Sequence, residues 1–155
     1  MRITLTAAVL SLALSGALSA SEPVAAAKDF WKVFAQGAIE KIQEQYAEEV
    51  VLRAGSEFLK KEWGINESGE RSEDRKVARA DLMKAYTAML TKVGKEKWTK
   101  TFGSIPDDKL TTRILENKHV VLKVKTGPGD DRLEYELALN KDQTRWLVVA
   151  EATDY

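Results

Sequence analysis

The spacing of hydrophobic positions changes once along the chain, from a helical repeat in the first two thirds to alternation in the last third. Apolar residues recur at helical spacing from Val24 to Tyr46, where Gly37 is predicted to bend or split the helix. A second helix is predicted from Arg79 to Val93, because its apolar residues share one face and Gly94 follows it directly. Helices first and strands last predict an α+β fold.

Four segments of the last third alternate apolar and polar residues, which is typical of strands with one buried face. They are Leu110 to Leu115, His119 to Thr126, Arg132 to Leu139 and Thr144 to Ala152. Because the turns between the last three are short, these strands are predicted to form an antiparallel meander. A shorter strand is predicted from Glu49 to Arg53, and the polar segment Gly64 to Lys76 is predicted to be a surface loop.

The central hairpin of this meander has a definite predicted register. A turn from Gly127 to Asp130 sets Lys123 opposite Glu134 and Val121 opposite Glu136, while the large apolar residues share the other face. The two glutamates could also be a carboxylate pair for acid and base chemistry. We favour the solvated face, because exposed charge pairs across strands are common.

The same reasoning predicts the register of the last hairpin. Leu139 is set opposite Thr144, and Arg132 is then expected to pair with Glu151 on the solvated face. Tyr135 is expected to point inward, where its hydroxyl needs a hydrogen-bond partner.

The N-terminal segment is predicted to be a secretory signal peptide. Arg2 precedes an apolar run from Ile3 to Ala20, and polar residues begin at Ser21. We take residues 1–20 as the signal peptide and 21–155 as a single domain, exported to a bacterial periplasm or secreted. An uncleaved membrane anchor is the alternative, because the run approaches the length that spans a bilayer.

Composition excludes several kinds of chemistry. The chain has no cysteine and one histidine, His119, so thiolate nucleophiles, disulfides and two-histidine metal sites are excluded. No metal or other cofactor is predicted. Without Arg2 the mature chain has one more acidic than basic residue, which gives no electrostatic reason to expect nucleic acid or an anionic membrane as partner. His119 is predicted to be exposed or at an edge of the outer sheet face.

Several segments together resemble the nuclear transport factor 2-like superfamily, which includes ketosteroid isomerases and polyketide cyclases. They are the broken first helix with Phe34 to Gly37, the segment Tyr46 to Leu52, the second helix and the closing segment Arg145 to Val149. The resemblance covers nearly the whole mature chain. It implies N-terminal helices packed in a curved antiparallel sheet as a cone, with a pocket between helices and sheet.

The resemblance also implies frequent dimerisation through the outer face of the sheet. On that predicted face Val121, Leu147 and Val149 form an apolar group, and they are the candidates for a homodimer interface.

The known chemistries of the superfamily do not carry over to this sequence. Matching the isomerase pattern to Tyr46 to Glu49 places the catalytic aspartate at Ala54, so the isomerase base is missing. Scytalone dehydratase-like members use more than one histidine, and the aspartate, arginine and aspartate of limonene epoxide hydrolase-like members cannot be placed here. We therefore predict no catalytic residue.

A pocket in the cone would be lined by inward aromatic residues, whose alternative role is to fill the core. These candidates are Trp31, Phe34, Tyr46, Phe58, Trp63, Tyr86, Tyr135 and Trp146. The polar residues expected near the pocket mouth are Glu49, Arg53 and Glu57.

Three functions follow, in order of preference. The first is an exported, non-catalytic domain that binds a small, largely apolar ligand or a protein partner. The second is an isomerase, dehydratase or cyclase that uses an unrecognised acid in the cone pocket. The third is a structural homodimer whose cone is filled.

Overall fold

The structure, a computed structural model, describes residues 20–53, 74–129 and 132–154. Its helices are α1 (Pro23–Ala35), α2 (Ile39–Glu44), α3 (Arg79–Val93), α4 (Lys95–Gly103) and a 3₁₀ turn (Asp107–Lys109). Its strands are β1 (Tyr46–Leu52), β2 (Arg75–Ala78), β3 (Leu110–Ile114), β4 (Val120–Lys125), β5 (Arg132–Leu139) and β6 (Trp146–Asp154). In these ranges, no helix has the length and apolar character needed to cross a membrane.

The strands form one sheet in the order β2-β1-β6-β5-β4-β3. Neighbouring strands are antiparallel except β1 and β6, which run parallel. Helices α1 and α3 pack against one face, here called the inner face, and α4 packs against α1 and α3. The opposite face of the sheet is the outer face. This α+β arrangement, with N-terminal helices on a largely antiparallel sheet, is the one that the resemblance implies, so the predicted fold class is confirmed.

The break in the first helix falls where glycine was expected to place it. Gly37 has a φ of 63°, a conformation that favours glycine, and it separates α1 from α2. A Cβ there would lie 3.0 Å from Cδ1 of Trp98, so the site also needs a small residue. The Trp98 indole N–H donates to the carbonyl oxygen of Phe34 at 2.9 Å, which fixes α4 against the end of α1.

Aromatic side chains fill the space between α1 and the sheet. The Phe30 ring lies 4.9 Å from the ring of Tyr135 on β5, measured between centroids. Phe34 contacts Trp98 at 5.2 Å and Tyr86 at 5.5 Å. Because these rings come from three helices and a central strand, their burial joins the two layers of the fold.

The hairpin of β4 and β5 has the predicted register. Val121 lies opposite Glu136 and Lys123 opposite Glu134, whose side chains form an ion pair at 3.1 Å. Glu134 and Glu136 therefore face outward, as expected, and Tyr135 lies in the core.

The turn between β5 and β6 is longer than predicted. Leu139 lies opposite Trp146 instead of Thr144, because the Asn140 side chain organises the turn. Its Oδ1 accepts hydrogen bonds from the backbone N–H groups of Thr144 at 2.8 Å and Arg145 at 3.2 Å. These contacts keep Thr144 in the turn.

A β-bulge in β6 changes the register a second time. Leu137 lies opposite Val148, but Glu136 lies opposite Ala150, so Val149 is an extra residue. Beyond the bulge Glu151 lies opposite Tyr135 on the inner face, where it is 1% exposed. The predicted pairing of Arg132 with Glu151 on the outer face is therefore wrong.

Strand β2 was not predicted, and its first two residues, Arg75 and Lys76, belong to the polar segment expected to be a loop. It pairs with β1 at the edge of the sheet, where the Lys76 ammonium lies 2.9 Å from the Glu49 carboxylate. An edge strand with solvent on most sides needs little apolar sequence.

Candidate functional site

A groove of about 360 Å³ opens at the surface between α1 and α4. Its apolar lining comes from Trp31 and Ala35 on α1, Phe102 on α4, Ile105 after α4, and Leu110, the first residue of β3. The Trp31 and Phe102 rings meet edge to face with centroids 5.9 Å apart. Because Trp31 is otherwise buried, this contact forms part of a fixed floor.

The rim of the groove is charged. Lys28 and Lys32 lie one turn apart on α1 and both line the groove. Across the opening, the Lys28 ammonium lies 3.8 Å from a carboxylate oxygen of Asp107. The Lys32 ammonium lies 3.0 Å from the Asp29 carboxylate, and both pairs are largely exposed.

Most of the predicted pocket-lining residues lie elsewhere. Phe34, Tyr46, Tyr86 and Tyr135 are fully buried in the core, while Trp31 lines the groove just described. The half-buried Trp146 donates its indole N–H to the carbonyl oxygen of Ser21 at 2.8 Å. Phe58, Trp63 and Glu57 lie outside the described residues. A ligand-binding role for these aromatic residues stays a prediction.

A buried carboxyl group, missed in the sequence, lies among the core tyrosines. Oε2 of Glu151 accepts hydrogen bonds from the hydroxyl of Tyr46 at 2.8 Å and from that of Tyr86 at 3.0 Å. The two hydroxyl oxygens are themselves 3.2 Å apart. Among the described residues, the other oxygen, Oε1, has no hydrogen-bond partner. These three residues are here called the inner cluster.

Burial controls the ionisation of the inner cluster. It raises the pKa of Glu151 to about 7, and the hydrogen bonds from the two tyrosines lower the pKa by less. Burial, followed by the nearby charge of Glu151, raises the pKa of Tyr46 and Tyr86 well above the ordinary value. Near neutral pH the Glu151 carboxyl can therefore gain or lose a proton, while both tyrosines keep theirs.

Nothing in the residues around Glu151 indicated its burial. The run Trp146 to Asp154 alternates well enough to be read in either phase, and the phase is decided by the bulge at Val149. A sequence signal exists only in Tyr46 and Tyr86, because buried tyrosines need acceptors.

A second acid is the centre of a cluster on the outer face, here called the outer cluster. Glu136 accepts a hydrogen bond from Nδ1 of His119 at 2.6 Å and forms an ion pair with Arg53. Arg53 also lies 3.0 Å from the carboxylate of Asp74. Partial burial would raise the pKa of Glu136, but the hydrogen bonds from His119 and Arg53 outweigh it and hold the pKa below its usual value.

The remaining predicted residues lie on or near the outer face. Arg53 belongs to the outer cluster and Glu49 to an exposed ion pair of β1, while Val121 is buried and Leu147 and Val149 are half-buried. Their predicted roles at a pocket mouth and in a homodimer stay predictions. In the part of the chain that the structure describes, no three histidine, aspartate or glutamate side chains are grouped to hold a metal ion.

No protein-family model matches the sequence, and no curated protein matches it. Among solved structures, the chain is similar to one described as a calcium/calmodulin dependent protein kinase II association domain from Xanthomonas campestris. The two chains share 16% sequence identity, and the match covers 84% of this chain and 83% of the other with a TM-score of 0.39.

Proposed function

We propose that this chain is an exported domain that binds a small, largely apolar ligand in the groove between α1 and α4. The observation that carries the proposal is the groove itself, whose volume is about 360 Å³ and whose lining includes Trp31, Phe102 and Leu110. Sites for small molecules usually have volumes of about 300 to 1,000 Å³ and mostly apolar walls with a few polar groups. The N-terminal signal peptide pattern supports export.

The packing beneath the groove supports a preformed ligand site instead of an irregularity of the surface. Trp31 is 4% exposed and its ring is stacked on Phe34 with centroids 5.3 Å apart, so the floor is held by the core behind it. A ligand that lies on such a floor gains about 25 cal/mol for each Å² of apolar surface removed from water. Little of this gain is spent on ordering side chains, because the floor is already fixed.

The test is a titration of the mature chain with 1-octanol, followed by two-dimensional NMR of the backbone amides. We expect the largest shifts along α1 and α4. Ile105→Arg places a charge in the groove and should weaken binding at least tenfold, by roughly 1.4 kcal/mol. The matched control is Ile114→Arg, because Ile114 is 55% exposed at the far end of β3 and does not line the groove.

Three results would contradict the proposal. One is saturation of the shifts at the same octanol concentration in folded Ile105→Arg and in the unchanged chain. The second is the absence of saturable shifts in the unchanged chain. Third, if shifts appear around β4 and β5 instead, the ligand site lies in the cone and the groove assignment is wrong.

A second candidate function is acid and base catalysis by the inner cluster. The observation that favours it is the Glu151 carboxyl, whose pKa of about 7 suits proton transfer at neutral pH and which has two phenol donors beside it. Such catalysis needs a path to Glu151 for a substrate.

Carbodiimide coupling of a small amine, mapped by mass spectrometry, tests for that path. Labelling of Glu151 in the folded chain at pH 6 would support the catalytic candidate. Labelling of Glu151 only after unfolding, while the exposed Glu49 reacts in the folded chain, would exclude it.

A further inference from the structure

The charged rim of the groove indicates what its ligand carries. Resting on the proposed function, we propose that the ligand is an amphipathic carboxylate, a short apolar chain with an acidic end, and that Lys28 and Lys32 bind the acidic end. The apolar chain then lies on Trp31 and Phe102.

The first step of the argument is the placing of the two lysines. They are four residues apart on α1, so both side chains project from the same face of the helix, and both line the groove. Lysine can lay its methylene groups along an apolar wall and keep its ammonium at the edge. The two ammonium groups are therefore in reach of one anionic group at the end of the apolar floor.

The second step is the weakness of their present ion pairs. Among the described residues of the lining, Asp107 is the one acid, and its side chain is 87% exposed and lies 3.8 Å from the Lys28 ammonium. The pair of Lys32 and Asp29 has side chains that are 73% and 65% exposed. Exposed ion pairs of this kind contribute little to stability, so a ligand carboxylate can replace either acid at small cost.

The third step is the selection among ligand charges. Among the described residues, the lining holds two lysines and Asp107, and Asp29 pairs with Lys32 from outside the lining. Two ammonium groups at the rim favour an anion, which can replace their exposed partners, over a neutral or cationic molecule of the same length. A carboxylate held by ammonium groups forms charge-assisted hydrogen bonds, which are stronger than those of an alcohol. The groove is open to solvent, so salt will screen this preference.

The test compares octanoate, 1-octanol and octylamine at pH 8 and low salt, by the same NMR titration of the mature chain. We expect octanoate to bind on the order of five- to tenfold more tightly than octanol, and octylamine more weakly than octanol. Lys28→Gln with Lys32→Gln should remove the preference for octanoate over octanol. The control variant, Lys41→Gln with Lys84→Gln, loses the same charge on α2 and α3 and should keep the preference.

The outcomes separate the two proposals. Equal binding of octanoate and octanol in the unchanged chain, or a preference that survives in the Lys28 and Lys32 variant, would overturn the carboxylate inference and leave the apolar groove intact. If neither compound binds, the proposed function falls and the inference falls with it. A preference that decreases as sodium chloride is raised supports an electrostatic origin.

Discussion

Glu136 and Glu151 lie side by side in the sheet but behave as different acids. On neighbouring strands, Glu136 is opposite Ala150 and Glu151 is opposite Tyr135, so the two carboxyl groups are one residue apart and point to opposite faces. The outer one contacts the cation of Arg53 and the imidazole of His119, and its pKa is lowered. The inner one contacts two phenols, and its pKa is raised to about 7.

The difference shows what decides the state of a carboxyl group in this fold. Both carboxyl groups lose water, since the Glu136 side chain is only 13% exposed and Glu151 is 1% exposed. On the outer face the hydrogen bonds from His119 and from the Arg53 guanidinium compensate for this loss, and the carboxylate stays charged. On the inner face tyrosine hydroxyls stabilise the charge only in part, so burial dominates and favours the proton.

Removal of the two acids should lower the free energy of unfolding by very different amounts. Glu151→Ala leaves the hydroxyls of Tyr46 and Tyr86 without their acceptor and opens a cavity, so we expect a loss of about 3 kcal/mol or more. Glu136→Ala should cost about 1 kcal/mol, because its partners can turn to water. Urea unfolding at pH 6 measures both, with Glu134→Ala as an outer-face control. Equal losses of unfolding free energy for Glu151→Ala and Glu136→Ala would show that the inner cluster stabilises the fold no more than the outer cluster does.

The two acids should also give stability opposite dependences on pH. The folded pKa of Glu151, about 7, exceeds its ordinary value of 4.5, so between these values the folded chain binds more protons than the unfolded chain. Its contribution is complete below pH 4.5 and is lost as the pH rises through 7, by up to about 3 kcal/mol. For Glu136, whose folded pKa is lowered, the contribution is instead lost as the pH falls below 4.5.

Unfolding free energies measured from pH 5 to pH 8.5 check this prediction. Glu151→Gln cannot titrate and should remove most of the decline, while Glu136→Gln should leave the decline unchanged. A decline that persists in Glu151→Gln would mean that another group causes it.

The tyrosine hydroxyls of the inner cluster should contribute most to stability when Glu151 is charged. Tyr86→Phe removes one of the two hydrogen bonds that lower the pKa of Glu151, so that pKa should rise further. At pH 8, where a hydrogen bond to a carboxylate is lost, we expect a cost of about 1.5 kcal/mol, and less at pH 5. In a Glu151→Gln background the extra cost at pH 8 should disappear. A cost that does not change with pH would indicate a packing effect of the ring.

The sequence predicted which face of the sheet carries Glu136 of the outer cluster, but it did not predict the inner cluster. The register of β4 and β5 was predictable because the turn and the alternation of apolar residues agree, which placed Glu134 and Glu136 outward. The contact of Glu136 with Arg53 was not predictable, since it depends on the parallel pairing of β1 with β6 far along the chain.

The inner cluster was missed because of the bulge at Val149 in β6. Asn140 holds Thr144 in the turn through side-chain hydrogen bonds, which shifts the pairing by two residues and keeps every side chain on its predicted face. The bulge adds one residue without a change in the hydrophobic pattern, and it turns Glu151 from the expected solvated face to the core. Trp31 was expected to line a pocket inside the cone, but it lies at the floor of the groove between α1 and α4, and its ligand-lining role stays a prediction.

The smallest expected effect is that of His119. Its side chain is 32% exposed, so His119→Gln should cost less than about 1 kcal/mol despite the 2.6 Å contact with Glu136. The useful measurement is how the cost of His119→Gln depends on salt. In 1 M salt the screening length is about 3 Å for exposed charges, whereas buried charges are screened much less. The cost of His119→Gln should therefore decrease in about 1 M sodium chloride, while the cost of Tyr86→Phe at pH 8 should stay the same. If salt reduces both costs equally, the inner cluster is as accessible to water as the outer one, and the contrast between the two acids has another cause.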